Sequence, residues 1–276
     1  MLRSTHELQN YAIQATDGLV GHVKDLYFDD VLWVARYLVV DTGSWLDSRK
    51  VLITPVSVQH PDWSRRVLPV SITCAQVRHS PDIDTAKPVS RQHETDYFDY
   101  YGYPYYWGGD GLWGSGLSPY VLAPSAAGYL GAGLNEAAVS ARAVAVAKTQ
   151  QARHRDDDPH LRSTHALAGY HVHATDGDIG HVDEFLIDVE TWAIRYVVVN
   201  TSNWWLGHRV LLSPHAVTAV HWADRRVTVH VTREAVKQAP VYDSTAELDR
   251  HGEIALHEHY GWPFYWAEGK LTGVRR

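Results

Sequence analysis

Histidine is the residue type in this sequence that most directly suggests chemistry, and 18 of the 276 residues are histidines. His171 and His173 stand two positions apart, which places both imidazoles on one face of a strand. His257 and His259 have the same spacing in the sequence. Because zinc and copper accept imidazole ligands, these two pairs make metal binding the first candidate for chemistry.

The sequence contains an internal duplication in which matching residues lie 159 positions apart, the difference between Leu161 and Leu2. The segment Leu2-Arg3-Ser4-Thr5-His6 returns as Leu161-Arg162-Ser163-Thr164-His165. Further matched pairs are Trp33 and Trp192, Trp45 and Trp204, Pro55 and Pro214, and Trp107 and Trp266. We therefore assign residues 1–107 to the first repeat and 160–270 to the second. Residues 108–159 form a Gly/Ala-rich insert, predicted to be a linker that is flexible or partly helical over Glu136 to Gln151.

The duplication argues against a metal site built from the paired histidines. His171 and His173 align with Ala12 and Gln14 of the first repeat, and the other pair aligns with aromatic residues. A duplicated site is expected to keep its ligands in at least one matched pair, and neither pair does so. We therefore predict that the protein binds no metal and that these histidines lie on the surface.

The remaining reactive side chains also lack a catalytic context. His22 and His181 are a matched pair, and each lies near an Asp-Gly turn. A histidine beside an aspartate is the combination that serves as a general base in some enzymes. The nearby hydroxyl of Thr16 has no nucleophile-elbow context, so we predict that this histidine stabilises the turn. Cys74 aligns with Arg233, which argues against a catalytic thiol. The sequence thus predicts no enzyme and no cofactor.

Composition argues against several further classes of protein. The hydrophobic share is 45% and the charged share is 21%, as in a globular protein. No run of 18 or more apolar residues occurs, so we predict no membrane span. The net charge of -7 and the lack of a Lys/Arg cluster longer than a pair argue against nucleic acid as a partner. The single cysteine excludes an intrachain disulfide. The first repeat begins at Leu2, which argues against a signal peptide. From both observations we expect a cytoplasmic location.

Short apolar stretches separated by turn signals predict about five β-strands in each repeat. The strongest is Trp33 to Val40, whose nearly continuous apolar sequence predicts burial on both faces. Helical segments are predicted at Thr73 to Arg78 and at Thr245 to His259. The predicted turn residues are Asp17, Gly18 and Gly21, and their matches Asp176, Gly177 and Gly180. Because so few antiparallel strands bury little as an open sheet, we predict an all-β fold of two small barrels with short helices.

The order of these motifs resembles the PRC-barrel, a domain named for the cytoplasmic part of the photosynthetic reaction centre H subunit. The order is Tyr-x-[Val/Ile]-x-Ala-Thr-Asp-Gly-x-[Ile/Val]-Gly-His-Val, an acidic turn, Arg-Tyr-x-Val-Val and Val-Leu-x-[Thr/Ser]-Pro. It lies at Tyr11 to Val23 with Arg36 to Pro55, and at Tyr170 to Val182 with Arg195 to Pro214. The resemblance implies a barrel that acts as a binding or scaffold module without a shared catalytic constellation. The sequence has no N-terminal membrane helix like that of the H subunit, so a role beside reaction-centre quinones is not expected.

Aromatic segments are the predicted recognition surfaces. Each repeat ends in a seven-residue box, YGYPYYW at 101–107 and YGWPFYW at 260–266, and each has a tryptophan loop between strands. The residues predicted to contact a partner or the other repeat are Trp45, Trp204, Trp205, Tyr106, Trp107, Tyr265 and Trp266. We predict a non-enzymatic protein-binding or scaffold module whose repeats pair as an internal pseudo-dimer, with a homo-oligomer left open. The alternatives are a metal- or cofactor-binding protein and an electron-transfer accessory of the H-subunit type.

Overall fold

The computed structural model describes residues 1–81, 89–123, 161–201 and 208–266. The chain divides into two compact units. The first-repeat unit consists of Glu7–Ser163 and Glu190–Ala193. The second-repeat unit consists of Met1–His6, Thr164–Val189 and Ile194–Arg276. Each unit therefore includes short segments that come from the other repeat.

The described ranges contain the following elements. The strands are β1 (Leu2–Ser4), β2 (Ala12–Ala15), β3 (Gly18–Asp29), β4 (Val34–Asp41), β5 (Lys50–Ile53), β6 (Val67–Pro69), β7 (Leu161–Ser163), β8 (His171–Ala174), β9 (Gly177–Asp188), β10 (Ala193–Asn200), β11 (Arg209–Leu212), β12 (Val217–His221) and β13 (Arg226–Val229). The α-helices are α1 (Thr5–Leu8), α2 (Cys74–Arg78), α3 (Arg91–Tyr101), α4 (Thr164–Leu167), α5 (Arg233–Gln238) and α6 (Arg250–Tyr260). Short 3-10 turns lie at Gly43–Leu46, Pro55–Ser57, Pro119–Leu122 and Pro214–Ala216.

Strand β3 is the centre of the first-repeat unit. It pairs antiparallel with β2 through its first residues and with β4 through the remainder, and β4 pairs with β5. Strand β6 lies parallel to β2. The last three residues of β3 also pair with β7, the first strand of the second repeat. Seven of the eight residues in β4 are buried, as its apolar sequence predicts.

The second-repeat unit follows the same plan. Strand β9 pairs antiparallel with β8, and β13 lies parallel to β8. Strand β10 pairs with β11, and β12 adds an antiparallel neighbour to β13. The last residues of β9 pair with β1, the first strand of the first repeat. The identical Leu-Arg-Ser segments that begin the two repeats are thus each paired within the unit of the other repeat.

The prediction of two closed, all-β barrels is wrong. The strands pair mostly antiparallel in the order β6-β2-β3-β4 in the first-repeat unit and β12-β13-β8-β9-β10 in the second, and the sheet is not closed into a barrel. Strand β7 occupies the end of β3, and Val34 at the start of β4 pairs with Ala193. The backbone groups at these strand edges therefore form their hydrogen bonds with a further strand, and the sheet does not have to close into a barrel to pair them. Because α3 and α6 each contain 11 residues, the fold is mixed α/β.

A close approach of two strands explains one matched pair of predicted turn glycines. A Cβ atom on Gly21 would lie 2.0 Å from the carbonyl oxygen of Asp41, and one on Gly180 would lie 2.1 Å from that of Asn200. No side chain tolerates such a contact, so the neighbouring strands pair at this point only because the residue is glycine. The glycines that close the same hairpins are Gly18 and Gly177.

Helices α3 and α6 position the aromatic boxes. The side chain of Ser90 accepts a hydrogen bond from the N-terminal turn of α3, and Asp249 does the same for α6. Both helices end at a glycine with a left-handed φ of 68°, Gly102 and Gly261, as the boxes predict. The chain then turns back so that the rings of each box pack beside the helix. Within the described ranges, no helix has the length and apolar character needed to cross a membrane.

Candidate functional site

The predicted turn aspartates connect hairpins to short helices. The Oδ1 atom of Asp17 accepts a hydrogen bond from the backbone N–H of Cys74 at 2.7 Å, and Asp176 accepts one from Arg233 at 2.8 Å. The bond from Cys74 is the main cause that lowers the pKa of Asp17 below its ordinary value. These carboxylates therefore satisfy amides at the starts of α2 and α5, which is a structural use of the matched Asp-Gly pairs.

The first tryptophan loop packs on its own unit. Trp45 lies in the 3-10 turn Gly43–Leu46, and its Nε1 donates a hydrogen bond to the carbonyl oxygen of Val20 at 2.5 Å. The ring is consequently half-buried, and its contact with a partner stays a prediction. Trp204 and Trp205 of the second loop lie outside the described residues.

The first aromatic box surrounds a buried carboxylate. Glu94 of α3 is 2% exposed and accepts hydrogen bonds from the hydroxyl groups of Tyr37, at 3.4 Å, and Tyr106. Arg91 forms an ion pair with the second oxygen of Glu94, at 2.8 Å. On the ring face of Tyr106, the Cζ atom of Arg36 lies 3.9 Å from the ring centroid. We call these five residues the first cluster.

A second cluster occupies the matched positions of the second-repeat unit. Its members, each 159 positions after a member of the first, are Arg195, Tyr196, Arg250, Glu253 and Tyr265. The Oε2 atom of Glu253 accepts from Tyr265 at 2.5 Å and from Tyr196 at 3.3 Å, and pairs with Arg250 at 3.2 Å. The Cζ atom of Arg195 lies 3.9 Å from the ring centroid of Tyr265. The duplication has thus kept the whole arrangement.

Arg36 is fully buried and ties the first cluster to the end of β3. Its Nη2 atom lies 3.3 Å from Oδ2 of Asp29, and its Nη1 donates to the carbonyl oxygen of Leu112 at 2.5 Å. The other oxygen of Asp29 accepts from the backbone N–H groups of Val31 and Leu32. The buried charge of Arg36 is therefore compensated by one carboxylate, one carbonyl group and the Tyr106 ring.

The beginning of the insert covers the first cluster. Trp113 is fully buried, with its ring centroid 4.7 Å from Cζ of Arg36 and its Nε1 donating to the carbonyl oxygen of Thr191 at 2.8 Å. The N–H of Gly114 donates to the carbonyl oxygen of Tyr106 at 2.7 Å. These contacts make residues near Trp113 part of the packed first-repeat unit.

His257 is the main chemical difference between the clusters, since the first repeat has Phe98 at this position. The imidazole is buried, with Nδ1 2.8 Å from the carbonyl oxygen of Pro263 and Nε2 2.9 Å from the hydroxyl of Tyr196. Because the carbonyl can only accept, Nδ1 carries the proton, and Nε2 and Oε2 of Glu253 are alternative acceptors for the one proton of the Tyr196 hydroxyl. Burial is the main cause that lowers the pKa of His257 below its ordinary value, and the nearby charge of Arg250 adds to it.

Burial also shifts the pKa of Glu94, Tyr106 and Tyr196. It raises the pKa of Glu94, against the opposing effects of Arg91 and the Tyr106 hydrogen bond. It raises the pKa of Tyr106 and of Tyr196 well above the ordinary value of a phenol. The tyrosines therefore remain hydrogen-bond donors at neutral pH, and they donate to oxygens that the protein itself supplies.

Beside each cluster lies a half-exposed pair of aromatic rings, stacked in the first-repeat unit and tilted in the second. In the first-repeat unit, Tyr105 and Trp107 have ring centroids 4.6 Å apart at an interplanar angle of 20°, and Cζ of Arg91 lies 4.5 Å from the Trp107 ring. We call these three residues the first ledge. The second ledge consists of the matched residues Arg250, Phe264 and Trp266. There the corresponding distances are 5.1 Å between the rings and 4.2 Å from the guanidinium.

The sequence interpretation missed Asp29, Arg91 and Glu94 and their matches, although a signal for them exists. Three charged pairs match at the shift of 159: Asp29 and Asp188, Arg91 and Arg250, and Glu94 and Glu253. A charged residue retained in both helices next to an aromatic box indicates a common buried partner for the rings.

Among the described residues, the histidines form no shared centre. Within residues 1–81, 89–123, 161–201 and 208–266, no group of three or more His, Cys, Asp or Glu side chains is placed to hold a metal ion. His173 pairs with Asp178 at 2.8 Å on the surface, and Nε2 of His259 lies 2.8 Å from the carbonyl oxygen of Ala235.

No protein-family model matches the sequence, and a search among curated proteins gives no match. The resemblance to the PRC-barrel therefore stays a prediction from motif order. The function has to be argued from the geometry of the two units.

We expect the second-repeat unit to lose stability as the pH falls below about 6.5, the ordinary pKa of histidine. The folded chain lowers the pKa of His257, so the unfolded chain takes up a proton where the folded chain still excludes it. The stabilisation is complete above the unfolded pKa and is lost as the pH falls through the folded value. Urea denaturation at a series of pH values measures this dependence.

The control is His257→Phe, which copies the residue of the first repeat. The difference in unfolding free energy between the unmodified chain and this variant isolates the imidazole from the other histidines. A difference that stays constant between about pH 5 and pH 7 would contradict the assigned role of His257.

Proposed function

We propose that the protein is a non-enzymatic module that binds a protein partner through its two ledges. The observation that carries the proposal is that both units keep a guanidinium over a half-exposed tryptophan, with a second ring in contact beside it, stacked in the first unit and tilted in the second. Buried positions around the ledges have diverged: Tyr97 aligns with Leu256, and Tyr103 aligns with Trp262. The buried clusters that hold the ledges are retained, so both units present half-exposed rings on the same support, which favours a role at the surface.

The clusters support this proposal because their polar groups are used within the protein. Both oxygens of Glu94 accept from cluster residues, and Glu253 accepts from two tyrosines and one arginine. Each glutamate also holds the arginine that lies over its ledge tryptophan. The clusters thus fix the ledges in place and present no group arranged for attack on a substrate.

The chemistry of the ledges indicates the kind of segment that they bind. Their arginines are ion-paired to Glu94 and Glu253, and two half-exposed rings lie beside each arginine. We therefore propose a protein segment that contributes apolar side chains to the rings. Trp, Tyr and Arg are the residue types that most often dominate binding energy at protein interfaces. Two ledges in one chain also allow bivalent binding.

The test is the double variant Trp107→Ala and Trp266→Ala, used as bait for affinity purification from the native host. The control is Trp63→Ala and Trp222→Ala, a matched, half-buried pair that lies outside the ledges and packs on Tyr11 and Tyr170. A protein captured by the unmodified chain and the control is then purified and titrated calorimetrically. We expect the ledge variant to bind it at least about tenfold more weakly, as for a loss of interface hot spots.

Equal binding by the ledge variant and the control would contradict the proposal. The metal- or cofactor-binding alternative has its own measurement: elemental analysis and an absorption spectrum of the purified protein. A stoichiometric metal or pigment would replace the proposed function.

A further inference from the structure

Four basic side chains form a row across neighbouring strands of the second-repeat unit. His221 of β12 pairs with Arg226 of β13. Arg226 pairs in turn with His171 of β8, which pairs with His181 of β9. Residues that pair directly across strands point to the same face of a sheet. We call these four residues the basic row, and at a strand spacing of about 4.8 Å it is about 14 Å long.

The basic row faces solvent. Three of its members are exposed, and His181 is half-buried. The next positions along the strands point inward, since Val172 of β8 and Val227 of β13 are buried. In the part of the chain that the structure describes, no hydrogen bond or ion pair involves the side chains of the basic row. Their N–H groups are therefore available to a ligand.

One carboxylate, that of Asp178 in β9, lies near the basic row. Its Oδ1 atom lies 2.8 Å from Nδ1 of His173, and its side chain is 72% exposed. The hydrogen bond from His173 is the main cause that lowers the pKa of Asp178, and the nearby charges of His171 and Arg226 add to this effect. Asp178 is thus paired with a residue outside the basic row and does not occupy the donors of the row.

The first repeat has a different set of residues at the matched positions of its sheet. There Asp62 pairs with Val67, Val67 pairs with Ala12, and Ala12 pairs with His22. Only His22 has a matching histidine, His181. With histidine counted as neutral, these four positions have a charge of -1 in the first repeat, from one aspartate, and +1 in the second, from one arginine. Since the first repeat forms the same pairing without the basic side chains, folding does not require them.

We propose that the basic row is a binding site for an extended acidic segment of a partner protein. Four or five extended residues cover about 14 Å, which is the length of the row. Imidazole and guanidinium N–H groups donate to carboxylate oxygens, and hydrogen bonds to charged acceptors are stronger than those between neutral groups. The basic row shares no residue with either ledge, so this site is separate from the one in the proposed function.

The charges favour an acidic protein segment over a nucleic acid. Arg226 is the one permanent cation of the basic row, whereas binding to nucleic acid depends on several Lys or Arg contacts with phosphates. The chain as a whole has a net charge of -7, which opposes a polyanion of high charge density. Imidazole gains charge between about pH 8 and pH 5, so a slightly acidic solution strengthens the attraction of the row for carboxylates.

The test is the double variant His171→Ala and Arg226→Val, which copies the first repeat at the two central positions of the basic row. Fluorescence anisotropy of dye-labelled hexaglutamate, measured with the full chain at low salt and about pH 6, reports binding. We expect the double variant to bind this peptide at least about tenfold more weakly than the unmodified chain, because two donors to charged acceptors are lost.

The control is Arg65→Gln, which removes the same charge from an exposed arginine of the first-repeat unit. We expect it to bind hexaglutamate as the unmodified chain does. Equal weakening in the control and the double variant would overturn the proposal, because it would show general attraction to charge. Absence of binding to the unmodified chain would overturn it too. If the double variant does not fold, His171→Gln with Arg226→Gln, which keeps polar side chains at both exposed positions, replaces it.

An oligothymidylate of the same charge as hexaglutamate tests the class of partner. We expect it to bind more weakly than the peptide. Tighter binding of the oligothymidylate would overturn the assignment to an acidic protein segment. The double variant Trp107→Ala and Trp266→Ala should bind hexaglutamate normally, so the basic row and the ledges can fail independently.

Discussion

Replacement of Arg36 by methionine should lower the free energy of unfolding of the first-repeat unit by about 3–5 kcal/mol, the usual cost of removing one partner from a buried ion pair. The side chain is fully buried and forms an ion pair with Asp29 at 3.3 Å. Methionine fills part of the volume but leaves the Asp29 carboxylate with only the amides of Val31 and Leu32. The carbonyl group of Leu112 also loses its donor. Guanidinium denaturation, with native-state hydrogen exchange to locate the loss in β3 and β4, measures the effect.

Arg195→Met is the matched control within the same chain. Arg195 makes the corresponding ion pair with Asp188, but its side chain is 18% exposed. Solvent screens a partly exposed pair, so this replacement should cost clearly less than the replacement of Arg36. Equal losses in the two variants would show that burial of Arg36 does not determine its contribution.

The strands could be predicted from the sequence, whereas the way in which they join could not. The apolar run of β4 is buried as predicted, and its neighbours lie near the turn signals that delimit them. The prediction of closed barrels was wrong because β7 pairs with the end of β3, and the paired residues Asp29 and Leu161 lie 132 positions apart in the sequence. The Leu-Arg-Ser segments of β1 and β7 are identical, so their sequence contains no information about which unit each one joins.

The aromatic boxes could be found by the duplication, but their partners could not be found from the boxes alone. Glu94 lies seven positions before the first residue of its box, Tyr101, and thirteen before the last, Trp107. It also lies on a helix with few strong helix formers. Its role depends on the caps at both ends of α3, which let the chain turn back over the carboxylate.

The glycines of the insert are a further case in which composition does not predict the structure. Glycine richness predicts a linker, but a Cβ atom on Gly109 would lie 2.2 Å from the carbonyl oxygen of Gly114. This glycine therefore permits a tight backbone contact that positions Trp113. Composition does not distinguish the two uses, because both depend on the absence of a side chain.

Trp113→Ala should destabilise the first-repeat unit by about 3–5 kcal/mol, as for truncation of a large buried aromatic side chain. The indole is fully buried, contacts the Arg36 guanidinium and donates to the carbonyl oxygen of Thr191. Its loss leaves a cavity beside a buried charge. Denaturation followed by the fluorescence of the remaining tryptophans measures the change in unfolding free energy, and hydrogen exchange locates it.

Trp107→Ala is the control, because Trp107 is half-exposed on the first ledge and its loss removes a surface cation–π contact of about 0.5–1 kcal/mol. A loss for Trp113→Ala no larger than this would mean that the covering segment contributes little to the packing of the unit. Combining Trp113→Ala with Arg36→Met should cost less than the sum of the two single losses, since the indole and the guanidinium are in contact. Strict additivity would instead place the two side chains in independent parts of the core.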